Sequence, residues 1–412
     1  MITRVKIDGY KSFKNFELKM KPLMVIFGPN ASGKSNLFDA LNLLAKLITE
    51  KNVKDAFNYH RGLPLESYFR GKNENEGVSH LIEFEVDVKL TNSIIEAIEK
   101  EIAEKRRGLS LEGTERCYIK EKCLRYNLKI EITSAGEVRI VNERLAALKA
   151  NGEPKKSRAP FIETIGNKIR LRMEGKARPV EYDIGLDHTI ISERPYLPYY
   201  PHINAFYREA LNWRFYYLDP KTLMREDAPI KATEYIGSRG EGLADFYYYL
   251  KEKNKKQFDN LKLGLRSLIP NIEEILPERV EEGVVRLYLL ENGIKISSRV
   301  ISEGTLRILG ILAILGATKK ATLIGYEEPE NGVHPLRLKK LADIFKASAE
   351  NKEIQILINS HSAEFVSYFE DKELFVCKKR QRKTEILPLK AAGTLFRQKM
   401  IRDSLADPSE EL

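Results

Sequence analysis

"LMVIFGPNASGKSNLFDALNLLAKL", residues 23–47, is the stretch on which the fold turns. Five apolar residues, Leu23 to Phe27, read as a strand buried on both faces. Gly28 to Ser35 then fits the pattern G-x-x-x-x-G-K-S/T, and Leu37, Leu41, Leu44 and Ile48 return at helical spacing. Strand, glycine-bounded loop and helix in that order make an anion cradle. Glycine lets backbone N–H groups turn inward, and the helix start adds unpaired donors and the positive end of the dipole. Asn30, Ala31, Ser32, Gly33, Lys34, Ser35 and Asn36 are the candidate nucleotide-binding residues. Lys34 offers a full charge to the β- and γ-phosphates of ATP, and Ser35 a hydroxyl to Mg²⁺. A glycine turn with a chance lysine would lack one or both flanks.

Working outward, a second set of signals lies near the other end. "ISEGTLRILGILAILGA", residues 301–317, reads as a buried helix with Ser302 as N-cap; taken alone it is a plain capped core helix. Then comes a short apolar strand ending in "GYEEPENGVHP", residues 325–335, which packs Glu327, Glu328 and Glu330 into four residues. Carboxylates so crowded repel unless a positive group sits among them. A helix opening at Pro335 follows, with Leu338, Leu341, Ile344 and Phe345 on one side. A second strand, "IQILI", ends in "NSHS", Asn359 to Ser362. Strand–helix–strand predicts parallel neighbours with their C-terminal ends together, so the acids and His361 are expected at the edge where the phosphate loop lies.

This order resembles the heads of ABC-type ATPases, in particular the RecF/SMC-like kind. The resemblance rests on "ITRVKIDGYKSFKNFELKMKPLMVIFGPNASGKSNLFDAL", "WRFYYLDP", "RGEGLADFYYYL", "SEGTLR", "EEPENGVHP" and "NSHSAEFV". It implies an α/β fold: a P-loop NTPase head with a mixed and parallel sheet, and a compact α+β insertion. It further implies that Lys34 and Ser35 bind the triphosphate and Mg²⁺. Glu327 holds the place of the metal-linked acid, Glu328 that of the catalytic glutamate, and His361 that of the histidine sensing the γ-phosphate. Ser302 and Gly304 match the signature that reaches the opposite subunit's nucleotide, and Asn331 to His334 the loop crossing the dimer interface. Glu330 falls in that loop and is read as structural. The implied protein is an ATPase that forms an ATP-dependent homodimer or higher even oligomer. Nucleic acid and a separate nuclease are its candidate partners. Overcoming-lysogenization-type relatives carry their own nuclease domain, for which the 51 residues after His361 are too few. Two departures stand out. The first acid is Glu where most such heads have Asp. And the glutamine that usually couples the metal to the inserted region has no clear counterpart: only Gln257 lies between the P-loop and "SEGT", in the lysine-rich "KEKNKKQFDNL".

Bulk properties agree with this reading without deciding it. A chain of 412 residues with 42% hydrophobic content supports two or three domains. The division expected is a discontinuous head, 1–90 and 206–412, around a basic inserted region, 91–205, with a hairpin at Ser134–Gly136 and no heptad run for long coiled-coil arms. The longest apolar run, near Leu306 to Ala317, is short of membrane-spanning length and carries Arg307. Cys117, Cys123 and Cys377 make neither a disulfide framework nor a zinc pattern, so a cytoplasmic protein is expected. Of the net charge of +10, most falls in residues 101–180, where 19 Lys and Arg face 11 Asp and Glu. That excess marks either a nucleic-acid surface or a solvated Lys/Glu surface. The aromatic stretch 193–217 reads as packing before base stacking, and His60, His80, His188 and His202 show no ligand spacing. Three function classes follow: an ATPase running a conformational cycle, a slow nucleotide-gated switch for a partner nuclease or toxin, and, disfavoured by the insertion, a transporter cassette.

Overall fold

The structure, a computed structural model, describes residues 1–58, 60–70, 80–107, 118–174, 178–317, 321–350, 353–389 and 394–406. Cys117 lies outside them. The chain forms two compact units. Met1–Pro22, Ala31–Trp213 and Cys377–Leu387 make the first, and Leu23–Asn30, Arg214–Val376 and Pro388–Leu412 the second.

Alternation of period two builds the first unit. In the strand Cys123–Ile132, Leu124, Tyr126, Leu128, Ile130 and Ile132 are fully buried while the residues between them are half-exposed. This strand lies inside an eight-stranded sheet ordered Phe16–Lys19, Ile2–Asp8, His80–Lys89, Cys123–Ile132, Val138–Ala147, Ile162–Ile165, Lys168–Leu171, Val180–Asp183. Its pairings are antiparallel throughout. The hairpin at Ser134–Gly136 is present, with Gly136 at φ 82°. The boundary expected at 91–205 is not where the chain divides. Cys123–Ile132 pairs along its whole length with His80–Lys89, so the middle region continues the N-terminal sheet. Alternation marks a strand but does not name its neighbour, which is why the sequence misplaces this edge. The helix Lys34–Thr49 buries Leu37, Leu41, Leu44 and Ile48, as its spacing predicts.

Continuous apolar runs build the second unit. Leu323–Glu327, Gln355–Ser360 and Leu23–Phe27 are buried at every residue and lie parallel in that order. Leu374–Val376 pairs beyond them, also parallel, with Val25–Phe27. Strands covered on both faces have no polar side to alternate. Register then fixes what meets at the C-terminal edge: Glu327 lies opposite Asn359, and Ser360 opposite Phe27, the residue before Gly28. The helix Glu303–Leu315 is buried on nearly all sides through Leu306, Ile308, Leu309, Ile311 and Leu312. A smaller antiparallel sheet is built on Ile272–Glu281 and Val284–Glu291. Among the described residues no helix is long and apolar enough to cross a membrane.

Candidate functional site

The phosphate loop begins in the second unit and ends in the first. Gly28, Pro29 and Asn30 leave the buried strand Leu23–Phe27. In the first unit Ala31 takes φ 59° and Gly33 φ 104°, a left-handed pair that turns the chain into the helix. That helix starts without a side-chain cap and without an acid in its first turn. Lys34 is only 8% exposed, and the Ser32 hydroxyl is buried with no hydrogen-bond partner. An uncapped helix start, a buried lysine and an orphaned hydroxyl fit a bound phosphate chain.

Four polar groups seat this loop from behind. Asn36 Nδ2 donates to Ser12 Oγ at 2.8 Å, Ser12 Oγ lies 2.7 Å from Thr384 Oγ1, and Thr384 Oγ1 donates to the Ser32 carbonyl at 2.8 Å. A hydroxyl has one proton, so if Thr384 donates to Ser32 it accepts from Ser12. The relay runs Asn36, Ser12, Thr384, Ser32. The Cys377 thiol also faces the Ser32 carbonyl at 3.5 Å, and burial pushes that thiol up from its ordinary pKa. Gly33 is obligatory here, because a Cβ would stand 2.0 Å from Thr384 Oγ1.

The acidic cluster occupies the end of Leu323–Glu327 in the second unit. Glu327 is buried, and Asn359 Nδ2 points to its Oε2 at 3.4 Å. Glu328 takes φ 50°, a strained value for a non-glycine residue. Its N–H holds that turn by donating to both the carbonyl and the Oδ1 of Asn359, each at 3.1 Å. The Glu328 carboxylate is partly exposed; it accepts from Asn331 Nδ2 at 2.6 Å and lies 3.3 Å from His361 Nδ1. Glu330 is buried and receives the Ser360 hydroxyl. Burial pushes its carboxyl above the ordinary range. A carboxylate held between an amide and an imidazole, one residue past a buried acid, can orient a water and accept its proton.

Ser302 caps the helix Glu303–Leu315 by accepting the Thr305 N–H at 3.2 Å. Gly304 presses on the loop after the acids: a Cβ there would stand 2.2 Å from the Gly332 carbonyl oxygen. The start of the helix Glu303–Leu315 and the loop at Gly332 are thus packed backbone to backbone within the second unit. His334 is exposed and caps the helix Pro335–Ala349, accepting the Leu336 N–H. Gln257 has a structural occupation: its amide donates at 2.5 Å to the carbonyl of Gly316, the C-cap of the helix Glu303–Leu315. The other histidines serve packing. His60 meets the Tyr10 hydroxyl, His80 stacks on Tyr68, His188 sits between Asp187 and Glu193, and His202 joins Glu174. Tyr247 is buried and donates to the Leu309 carbonyl. Asn359, Ser360, Ser12 and Thr384 are the residues sequence reasoning misses. Only the first pair leaves a trace, as polar residues closing an apolar strand. The described residues hold no His, Cys, Asp and Glu cluster of metal-site type.

Fold and loop together define a P-loop ATPase head. Residues 1–170 match a family described as "AAA ATPase domain", and residues 174–367 one described as "AAA domain, putative AbiEii toxin, Type IV TA system". Over 62 residues the sequence is 34% identical to the DNA replication and repair protein RecF of Corynebacterium jeikeium (strain K411), a match spanning 15% of this chain and 15% of that protein. An Smc head bound to the C-winged helix domain of ScpA superposes with a TM-score of 0.54 at 14% identity, over 95% of this chain and 98% of the other. The Smc head with an extended coiled coil from Pyrococcus furiosus, bound to the C-terminal domain of ScpA, gives 0.51 at 13% identity over 98% of both chains. Two ATPase-domain families thus account for residues 1–170 and 174–367, and the fold is that of Smc heads.

Proposed function

We propose that the protein binds ATP with Mg²⁺, pairs with a second copy over the nucleotide, and separates after hydrolysis. The observation that carries this reading is the Glu328 carboxylate, set between His361 Nδ1 and Asn331 Nδ2 at the strand end where Glu327 is buried. Lys34 and the N–H groups of the loop bind phosphate oxygens. Ser35 and Glu327 would hold the metal, which supplies charge neutralisation on the phosphates. Glu328 orients the attacking water, and His361 stands by for the γ-phosphate. Ser302 and Gly304 are assigned to the partner copy's nucleotide. The work done by the cycle is on DNA or a partner protein, in DNA maintenance or antiviral defence. Its basic segment carries a net excess even though Arg125, Lys155, Arg158, Lys168 and Arg170 are each paired with an acid.

Multiple-turnover phosphate release by wild type and Glu328→Gln, with and without DNA, tests the chemistry, and particle mass with and without ATP tests the pairing. The variant is expected to lose turnover on the order of 10²-fold or more while keeping ATP-dependent doubling of mass. A variant as active as wild type refutes the assignment. A second reading is a slow switch for a nuclease or toxin, which the toxin–antitoxin wording of the family matching residues 174–367 favours. Background turnover by the wild type, together with mass doubling on ATP, would select it.

A further inference from the structure

We propose that Glu330 is a positioning residue: it holds the Ser360–His361 segment so that the His361 ring reaches the Glu328 carboxylate. The inference rests on the function proposed above, in which His361 and Glu328 act at the same phosphate.

Glu330 is the third acid of the cluster, and the chemistry of hydrolysis has no direct use for it. Its side chain is 6% exposed. One oxygen, Oε1, accepts the Ser360 hydroxyl at 2.5 Å and the His361 backbone N–H at 3.3 Å. Ser360 Oγ in turn accepts the Ser362 N–H at 3.1 Å. A single carboxyl oxygen therefore gathers the segment on which His361 is mounted. The same turn that carries Glu330 carries Glu328, closed by Asn331 N–H to the Glu328 carbonyl and Val333 N–H to the Glu330 carbonyl. So two loops are tied at two points: the Glu328 side chain meets the His361 ring, and the Glu330 side chain meets the His361 backbone.

The second oxygen of Glu330 makes no such tie. Oε2 is buried with no hydrogen-bond partner, an unfavourable place for a full negative charge. His361 and Tyr326 are the titratable neighbours, and burial outweighs the imidazole in raising the acid. Glutamine has the shape of this side chain and presents one carbonyl oxygen to Ser360 and His361. An apolar residue of similar size fills the space but accepts neither donor.

The test is steady-state ATP turnover by wild type, Glu330→Gln, Glu330→Leu, His361→Ala and the Glu330→Leu/His361→Ala double variant, with ATP affinity and melting temperature measured on the same preparations. Glu330→Gln is expected within about threefold of wild type. Glu330→Leu is expected to lower kcat about tenfold or more with KM for ATP little changed, and the double variant to be no slower than His361→Ala alone. Wild-type turnover by Glu330→Leu overturns the proposal, as does a double variant slower than His361→Ala by the full factor of the Glu330 change. Full activity of His361→Ala would instead refute the functional reading on which the proposal stands. If Glu330→Leu does not fold, Ser360→Ala removes one of the two donors. A severalfold fall in kcat that vanishes in the His361→Ala background then supports the latch, and unchanged turnover sinks it.

Discussion

Gly304→Ala is a one-carbon change with a calculable consequence. The added Cβ would stand 2.2 Å from the Gly332 carbonyl oxygen, 3.1 Å from its carbonyl carbon and 3.5 Å from the Val333 Cα. All three are backbone atoms, so no side chain can swing away. Restoring an ordinary contact needs a separation near 3.4 Å, hence a shift of about 1.2 Å. The helix Glu303–Leu315 cannot retreat, because Leu306, Ile308, Leu309 and Ile311 pack it from behind. The loop must move instead, and Asn331 sits one residue before Gly332 with its amide 2.6 Å from Glu328. Overpacking of this kind costs about 1–3 kcal/mol. At roughly 2–4 °C per kcal/mol, the melting temperature should fall by about 2–12 °C. Misplacing a catalytic partner by about 1 Å costs on the order of 10²-fold in rate. Binding of ATP by the loop Gly28–Ser35 should survive. The assay is phosphate release, ATP affinity and thermal unfolding on one preparation. A Gly304→Ala protein that melts within about 1 °C of wild type and keeps at least half its turnover refutes the steric argument.

Two further outcomes follow from buried polar groups. Thr384→Val keeps the shape but strands the Ser12 hydroxyl and the Ser32 carbonyl, a loss of about 1–3 kcal/mol, so ATP affinity and melting temperature should both drop while Thr384→Ser stays near wild type. Equilibrium titration with ATP and thermal unfolding check it. Glu143 is fully buried, accepts the Ile190 N–H at 2.7 Å and the Tyr126 hydroxyl at 3.1 Å, and has its pKa pushed up by burial to about 7 from 4.5. The folded protein therefore holds a proton that the unfolded chain releases. Stability should fall by about 3 kcal/mol as pH rises from roughly 4.5 to 7 and not change further on this account above 7. Denaturant unfolding across that range should show this slope in wild type and lose it in Glu143→Gln.

The elements that were legible in sequence are those whose residues repeat at a period or stand at fixed spacing. Leu23–Phe27 reads as a strand because five apolar neighbours admit little else, and the parallel pairing of Leu323–Glu327 with Gln355–Ser360 follows from the helix Pro335–Ala349 between them. The glycines of the loop, the acids and His361 are local signals with local meaning. What escapes is partnership across distance. Thr384 lies more than 350 residues from Ser32, and nothing in "KTEILPL" marks it as the seat of a phosphate loop. The misplaced edge at residue 91 has the same origin: Cys123–Ile132 carries a flawless alternation that is silent about His80–Lys89 as its neighbour. Gln257 illustrates the reverse. The sequence left it without a role, and its bond to Gly316 gives it one that is structural.

The three acids can share four residues because the fold gives each a different electrostatic solution. Two unit charges about 6 Å apart repel by roughly 3 kcal/mol at an effective dielectric near 20, so three ionised carboxylates would strain the turn severely. Burial pushes the Glu330 carboxyl above its ordinary range, which eases that repulsion, while its Oε1 serves Ser360 and His361. Glu328 directs its charge at the Asn331 amide and the His361 ring. Glu327 is buried, with the Asn359 amide 3.4 Å from its Oε2. In the function proposed above, Glu327 is the acid assigned to a Mg²⁺ carried in with ATP. On that argument the extra methylene of Glu327 relative to aspartate is accommodated by water between carboxylate and metal, which a reluctantly dehydrated ion favours. Glu327→Asp should then retain turnover within about tenfold, whereas Glu327→Gln, which removes the charge and keeps the length, should raise the Mg²⁺ concentration needed for half-maximal phosphate release. Equal Mg²⁺ dependence in wild type and Glu327→Gln would mean that the metal is held elsewhere.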